Sequence, residues 1–421
     1  MKKIYTAFLL IFLSLNFTSF SYANTQVDLL IKKLVEKGIL TENEAQEIKN
    51  EVMAEQESTT EQKIVSQPAK ENTAQNELPS WVQDMKLKGD FRLRHEWIKR
   101  NDSTDLNRNR GRIRYRLGIE TKINDQVQVG AGLASNGGTP RGTNLTFSDT
   151  FAKSSINLDY AYVQYAPNEH LTLTGGKMKI PFWEPTELLW DADLTPEGGA
   201  ANLNWKMNDN IKLFSNLSTF VIDEIASDQS DPFIILLQSG LEWQKDEKFD
   251  YKLAVSYDNF DNGTKQLLDS RSSPATNTVN GGRYDFTYNT VSVASEFGIN
   301  KPFDSFLPRI AAIGEFVHNP DPGEQNNGWL AGGYVGSKKV SGPKQWKITG
   351  TFRYLGADAW LDVFPDADFY SGATDVKGYE TIFEFGLTKN ISLMVDYYRS
   401  QRIKADKAPE SLLQTDINFR F

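Results

Sequence analysis

The 421-residue chain has no cysteine and only three histidines, His95, His170 and His318. The first absence excludes a disulfide framework, a thiolate metal site and a cysteine nucleophile. None of the histidines has a ligand partner at helical or strand spacing, so neither a metal site nor a cofactor is expected. No glycine-rich phosphate loop follows a strand and opens a helix; Gly175-Gly176-Lys177 ends a strand pattern with no helix behind it. A basic excess is missing as well. Against 46 Lys+Arg stand 55 Asp+Glu, for a net charge of −9, which argues against a nucleic-acid partner. After Phe20 no run reaches the ~18 apolar residues of a spanning helix.

What is present begins with an export signal. Lys2 and Lys3 precede an apolar run from Ile4 to Phe20, and Ser21 and Ala23 are small residues three positions and one position before a cut after Ala23. Residues 1–23 are therefore read as a signal peptide; the run is short for an anchoring helix. Its loss removes two lysines and no acid, leaving 44 − 55 = −11. Residues 24–57 predict a helical hairpin and candidate coiled coil. Val27, Leu30, Ile31, Leu34 and Val35 have helical spacing, Gly38 stops the first helix, and Thr41 with Glu44 forms a capping box for the second. Such a hairpin is too small to stand alone; oligomerisation, a spacer and cell-wall contact all fit it. Residues 58–80 are a polar linker.

From residue 81 the period changes to two. The final strand makes the case: Leu413, Thr415, Ile417, Phe419 and Phe421 share one parity, while Gln414, Asp416, Asn418 and Arg420 share the other. Successive side chains of a strand face opposite ways, so one face is apolar and the other polar. Phe419 and Phe421 resemble the C-terminal assembly signal of bacterial outer-membrane barrel proteins. Sixteen strands are predicted, over 85–97, 110–123, 127–134, 156–166, 171–178, 200–207, 211–221, 233–244, 249–260, 288–300, 307–318, 329–336, 344–355, 379–388, 391–401 and 412–421. Each is close to the ~10 residues of a tilted barrel strand.

The connections alternate in length. Those after even-numbered strands are short, such as Asn124-Asp125-Gln126, Asn208-Asp209-Asn210 and Lys389-Asn390. Those after odd-numbered strands include 135–155, 179–199, 261–287 and 356–378. A soluble sandwich has no reason to sort loops by parity; an outer-membrane barrel has periplasmic turns at one rim and external loops at the other. The expected fold is thus all-β, a 16-stranded antiparallel transmembrane barrel over 81–421 with both termini periplasmic. Barrel closure leaves no unpaired strand edge, as hydrocarbon demands. Strand faces agree: Phe249, Tyr251, Leu253, Val255 and Tyr257 oppose Lys252, Ser256 and Asp258. Trp97, Trp205, Trp243, Trp329 and Trp346 near strand ends supply interfacial girdles.

Six arginines, Arg92 and Arg94 on the first strand and Arg110, Arg112, Arg114 and Arg116 on the second, are expected to project into one lumen. The connection 179–199 carries Glu184, Glu187, Asp191, Asp193 and Glu197, and lies between the fifth and sixth strands. Folded inward, this acidic loop faces the basic wall across a constriction. The competing reading leaves the loop outside and the arginines against lipopolysaccharide phosphates. Trp183 and Trp190 in this loop either stack on sugars or pack the loop on itself. Asp191-Ala192-Asp193 offers oxygen ligands for calcium without a loop motif to support it.

Several stretches resemble the bacterial "putative porin" family: Lys86-Leu-Lys-Gly-Asp-Phe-Arg-Leu-Arg, Asn109-Arg-Gly-Arg-Ile-Arg-Tyr-Arg-Leu-Gly, Leu158-Asp-Tyr-Ala-Tyr-Val, Gly175-Gly-Lys-Met-Lys-Ile-Pro-Phe and Leu189-Trp-Asp-Ala-Asp-Leu-Thr-Pro-Glu-Gly. Ile180 stands before Pro181 where the family pattern has asparagine. The resemblance implies passive diffusion of small hydrophilic solutes through an oligomer, with a homotrimer the candidate assembly, and brings no catalytic residue. Its partners would be outer-membrane lipids, lipopolysaccharide and the barrel-assembly machinery. The arginine wall would bias passage toward anions, against a barrel region that is itself net 38 − 44 = −6. A second reading keeps the barrel as a structural or adhesive protein with a plugged lumen. A third, a lipid hydrolase, needs a serine beside a histidine on adjacent lipid-facing strands, which His318 lacks.

Overall fold

Backbone pairing carries the chain once around a closed sheet. A computed structural model describes residues 80–101, 106–135, 138–224, 231–261, 265, 267–268, 274–303, 307–404 and 408–421. The expected signal peptide, helical hairpin and nearly all of the linker lie outside these residues. The described part belongs to one unit, Glu77–Phe421. Its long strands are β1 (Lys86–Arg100), β2 (Leu106–Lys122), β3 (Val127–Ser135), β4 (Ile156–Tyr165), β5 (Leu171–Lys177), β6 (Glu197–Lys206), β7 (Ile211–Val221), β8 (Phe233–Lys245), β9 (Phe249–Asp261), β10 (Tyr288–Asn300), β11 (Arg309–His318), β12 (Asn327–Gly336), β13 (Trp346–Leu355), β14 (Val376–Gly386), β15 (Ile391–Arg402) and β16 (Glu410–Arg420).

Each strand pairs antiparallel with its sequence neighbour, and β1 pairs with β16 from Asp90↔Arg420 to Arg100↔Glu410, closing the sheet. The seam ends where Gly89 and Phe421 exchange backbone hydrogen bonds of 2.8 and 3.0 Å. Glycine is needed there, because a Cβ at Gly89 would lie 2.4 Å from the Phe421 ring. Several strands outrun their apolar alternation. β1 and β2 continue to Arg100 and back from Leu106, and β6 begins at Glu197, since ladder pairing (Lys177↔Glu197) sets the ends and hydropathy does not.

The two rims differ as expected. At the short-turn rim the same local device recurs: Asn124, Asn168 and Asn208 each accept hydrogen bonds from two backbone N–H groups two and three residues on, and Thr388 does so through its hydroxyl. Such side-chain caps fix a tight turn without tertiary help. The opposite rim carries the long loops. Trp205, Trp243 and Trp346 lie toward the short-turn rim, Trp97 and Trp329 toward the long-loop rim.

The sheet is apolar outside and mainly polar inside. Leu203, Leu217, Leu237, Val255, Val291, Phe352 and Phe383 are exposed on the exterior, whereas Asn216, Gln238, Asp258, Thr290, Glu315, Arg353, Asp396 and Asp416 are buried within. One expectation needs correction. Charge does not face an open lumen all round: near the long-loop rim the inner face of β8–β13 is apolar, with Ile234, Leu236, Phe260, Val317, Leu330 and Leu355 buried there. Loops fold in from the rim and bury that surface.

Candidate functional site in the barrel interior

The connection from Met178 to Pro196 folds into the barrel. Its entry is fixed by inward-facing amides. The Pro181 carbonyl accepts from Asn202 and Asn216, and Gln238 both accepts from and donates to the Trp183 backbone at 2.9 and 3.0 Å. Further on, the Thr186 hydroxyl donates to Glu315. Leu188, Leu189 and Trp190 are buried. Their partner is a second inward loop, Gly356–Asp375, with Ala359, Trp360 and Leu361 wholly buried.

Trp190 stacks on Phe364 at 4.6 Å and meets Trp360 edge-on at 5.7 Å. Backbone bonds join the loops, Asp191 N–H to Phe364 O at 2.8 Å and Asp366 N–H to Glu187 O at 3.2 Å. Two other connections tie in. Arg141 donates to the carbonyls of Asp362, Pro365 and Gly372, and Asn277 to those of Ala357 and Trp360. Trp190 is thus a packing residue of the loop. Trp183 lies beneath the Lys252 ammonium, 4.9 Å from its ring centre.

The six arginines share one inner sector, on β1 and β2 beside β16. The register sets like charges opposite each other, Arg92↔Arg114 and Arg94↔Arg112, an arrangement that is destabilising without counter-charges. Those counter-charges lie mainly on the same strands. Arg94 forms a two-pronged pair with Asp416 at 2.8 Å on both arms, and Arg92 reaches the same carboxylate at 3.6 Å. Arg110 and Arg112 share Glu96; Arg114 and Arg116 share Asp90, at 2.8 and 2.7 Å.

The picture of a bare basic wall facing an acidic loop is therefore revised. Only Asp193 of the loop joins the ladder, pairing with Arg116 at 3.3 Å and accepting from Thr143. Asp368 of the second loop adds a pair to Arg94 at 3.1 Å. Six guanidiniums face Asp90, Glu96, Asp193, Asp368 and Asp416, or 6 − 5 = +1. Asp90 and Glu96 share the arginines' parity on β1, a visible signal. Asp416 became relevant only once closure set β16 beside β1.

The remaining loop acids separate. Glu187 and Asp191 gather near Asp366, and burial followed by repulsion from the Asp366 carboxylate pushes Glu187 and Asp191 well above the usual carboxylate range. Burial, offset by Arg353, takes Asp366 to about 6. Glu184 is also pushed up, by burial and then by Glu315 and Asp258. Burial would raise Asp368, but Arg94 and a Gln414 hydrogen bond outweigh it and hold it low. The Asp191 oxygens accept from the N–H groups of Asp193 and Ala367, so this acid shapes the loop junction. Glu197 is the exception: it opens β6 at the rim, exposed, paired with Lys177 at 2.7 Å.

A closed sixteen-stranded antiparallel sheet, oily outside and narrowed inside by inserted loops, defines a barrel of the porin type. The Pseudomonas putida OprB structure shares this fold with a TM-score of 0.52 and 10% identity, over 81% of this chain and 95% of that one. The Acinetobacter baumannii outer-membrane channel DcaP (TM-score 0.46, 14% identity) is matched over 80% of this chain and 97% of its own. A Rhodopseudomonas blastica porin triple mutant (0.45, 11%) is matched over 80% and 100%. No curated protein sequence matches the chain. The family model described as "Putative porin" matches residues 97–290 and 278–421, and the chain belongs to that family.

Proposed function

We propose that the chain is an outer-membrane pore through which small hydrophilic solutes and ions diffuse passively, past a constriction built by the loop Met178–Pro196 and the arginine ladder. The observation that carries this reading is the inverted barrel: an apolar outer face and a charged inner face fit a wall between lipid and water. In this reading Arg92, Arg94, Arg110, Arg112, Arg114, Arg116, Glu184, Glu187, Asp191 and Asp193 surround or support the narrow zone, with Glu197 at its mouth. The exported chain enters the outer membrane with its short turns and both termini periplasmic. Phe419 and Phe421 guide assembly, lipopolysaccharide surrounds the rim, and copies associate, a trimer being the simplest assembly.

Ion preference near the ladder is weakly anionic, since the count above is only +1. Single-channel recording on purified protein in planar bilayers tests the proposal. Discrete steps are expected, and Arg112→Glu with Arg114→Glu moves the reversal potential toward cations. Channels whose ion preference ignores both changes take these arginines out of the constriction.

The aromatic contacts between the two inner loops favour a second reading, a structural or adhesive barrel with a filled lumen. Heat-modifiable barrel migration with no conductance at any voltage would select it.

A further inference from the structure

Two cavities lie along one sector of the wall, β3–β6. The larger, about 560 Å³, opens among the long loops and is lined in part by Asp159, Lys177, Trp190 and Asp193. The second, about 240 Å³, lies closer to the short-turn rim against Glu120, Tyr160, Lys179 and Asn202. Across the barrel, the β8–β13 side is filled by the packed loops, and the β1–β2–β16 side by ion pairs.

The linings of the two cavities follow directly on one another along the chain, at Asp159/Tyr160 and Lys177/Met178, and the first of these junctions is an irregularity in the wall. Gly132 pairs with Tyr160 but Leu133 pairs with Leu158, so Asp159 is an extra residue in β4. A bulge of this type re-aims side chains that strict alternation would send to opposite faces. Asp159, with Leu158, borders the first cavity and Tyr160 the second, while Val163 stays exposed outside.

Glycines keep this sector open. A Cβ on Gly118 or Gly132 would fall 2.0 or 2.2 Å from Tyr160, and one on Gly130 would fall 2.6 Å from Tyr162. Both tyrosines therefore lie against β2 and β3, where any larger residue would push them into the bore. At the junction Asp159 is within electrostatic reach of Arg116, Lys179 and Lys177. The Lys179 ammonium sits 5.2 Å above the Tyr160 ring. Among the described residues neither Asp159 nor Lys179 forms an ion pair, unlike the arginine ladder.

We infer that ions and solutes cross the barrel along the β3–β6 sector, and that the Asp159–Tyr160 bulge with Lys179 beside it is the narrow point that sets charge selectivity. The inference rests on the pore reading above. A paired charge cancels most of its neighbour's field a few ångströms away, whereas an unpaired charge in a narrow path acts on every ion that passes. Asp159 and Lys179, neither of them held in an ion pair, thus keep more of their field in the path than each paired arginine does.

The absence of cysteine allows a direct test on the full chain in planar bilayers. Asp159→Cys and Lys179→Cys, exposed to a cationic methanethiosulfonate reagent, should each lose conductance in steps. Ser292→Cys, on the inner face of β10, should not. Asp159→Asn should shift the reversal potential toward anions and Lys179→Gln toward cations. Lys179 lies outside the strands, so its variants serve if Asp159 variants fail to assemble.

A conducting channel whose Asp159→Cys or Lys179→Cys thiol is modified, by mass, without change in conductance would overturn the path and leave the pore reading intact. So would thiols at both positions that the reagent cannot reach. A folded wild-type barrel that never conducts would remove the pore reading itself, and the path with it.

Discussion

The indole Nε1–H of Trp360 donates to the Leu189 carbonyl at 2.8 Å, joining the two inner loops through residues 171 positions apart. Each loop packs its own aromatic residues in part, Phe182 on Trp190 and Trp360 on Phe364, and the two pairs meet through Trp190. Together they form a dry nucleus inside a barrel whose exterior is the oily side. The barrel wall is held by its closed ladder, and the nucleus by side-chain packing, so the two can fail separately.

Trp360→Ala is expected to remove about 3–5 kcal/mol of packing from the loops, the usual cost of truncating a buried tryptophan. Amide exchange should rise across 178–196 and 356–375 and stay unchanged in the strands. Heat-modifiable gel migration should persist. Equal loss of protection in β8–β13 and in the loops would contradict the separation of wall and nucleus.

Glu187 gives a pH prediction. Its folded pKa is raised, as are those of Asp191 and Asp366, so between the ordinary carboxylate value (~4) and the raised values the folded state holds more protons than the unfolded one. This contribution to stability is present at acid pH and lost as pH climbs toward about 6, the Asp366 value, and beyond. Glu187→Gln keeps an oxygen to accept the Ala192 N–H and removes one charge. The thermal midpoint in detergent should rise at pH 8 and hardly move at pH 5. A midpoint lowered at pH 8 would mean that Glu187 is held as an anion by a favourable partner.

The Arg94–Asp416 pair is buried, with Asp416 wholly inaccessible to solvent. Removing one partner of such a pair typically costs about 3–5 kcal/mol, because a buried charge is left uncompensated. Asp416→Asn should therefore lower the unfolding midpoint markedly. Arg94→Met combined with Asp416→Leu should cost less than the single change. Additive losses would show that the two residues do not act as a pair.

Closure of the sheet depends on space beside the final residue. Gly89→Ala places a methyl group 2.4 Å from the Phe421 ring and 2.7 Å from the Arg116 carbonyl oxygen, while Gly175→Ala, on β5, meets nothing within 4 Å. The first variant should reduce the fraction of chains that refold to the heat-modifiable barrel, and the second should not. Matching yields for the two would remove Gly89 from the closing seam.

Periodicity carried most of the architecture. Lipid-type alternation marks strands such as β9, where Leu253, Val255 and Tyr257 face out against Lys252, Ser256 and Asp258. Turn residues such as Asn124 and Asn208 mark the short rim, because each acts within its own few residues. Strand ends were less visible. Asn107, Arg108 and Asn109 look like loop residues, but β1 offers them pairing partners, so β2 begins before them.

The amino-acid order alone thus settles a sixteen-stranded barrel and its apolar outer face, since a period of two and turn chemistry are local properties. It also shows six arginines sharing a face. Only the folded chain decides what those arginines meet: closure brings Asp416 from the far end of the sequence beside Arg94, and loop insertion brings Asp193 and Asp368 to Arg116 and Arg94. It alone decides, too, that Trp190 and Trp360 pack against each other inside the barrel. Coulomb attraction and apolar burial act across space, and no spacing rule along a chain records which distant residues will share a volume.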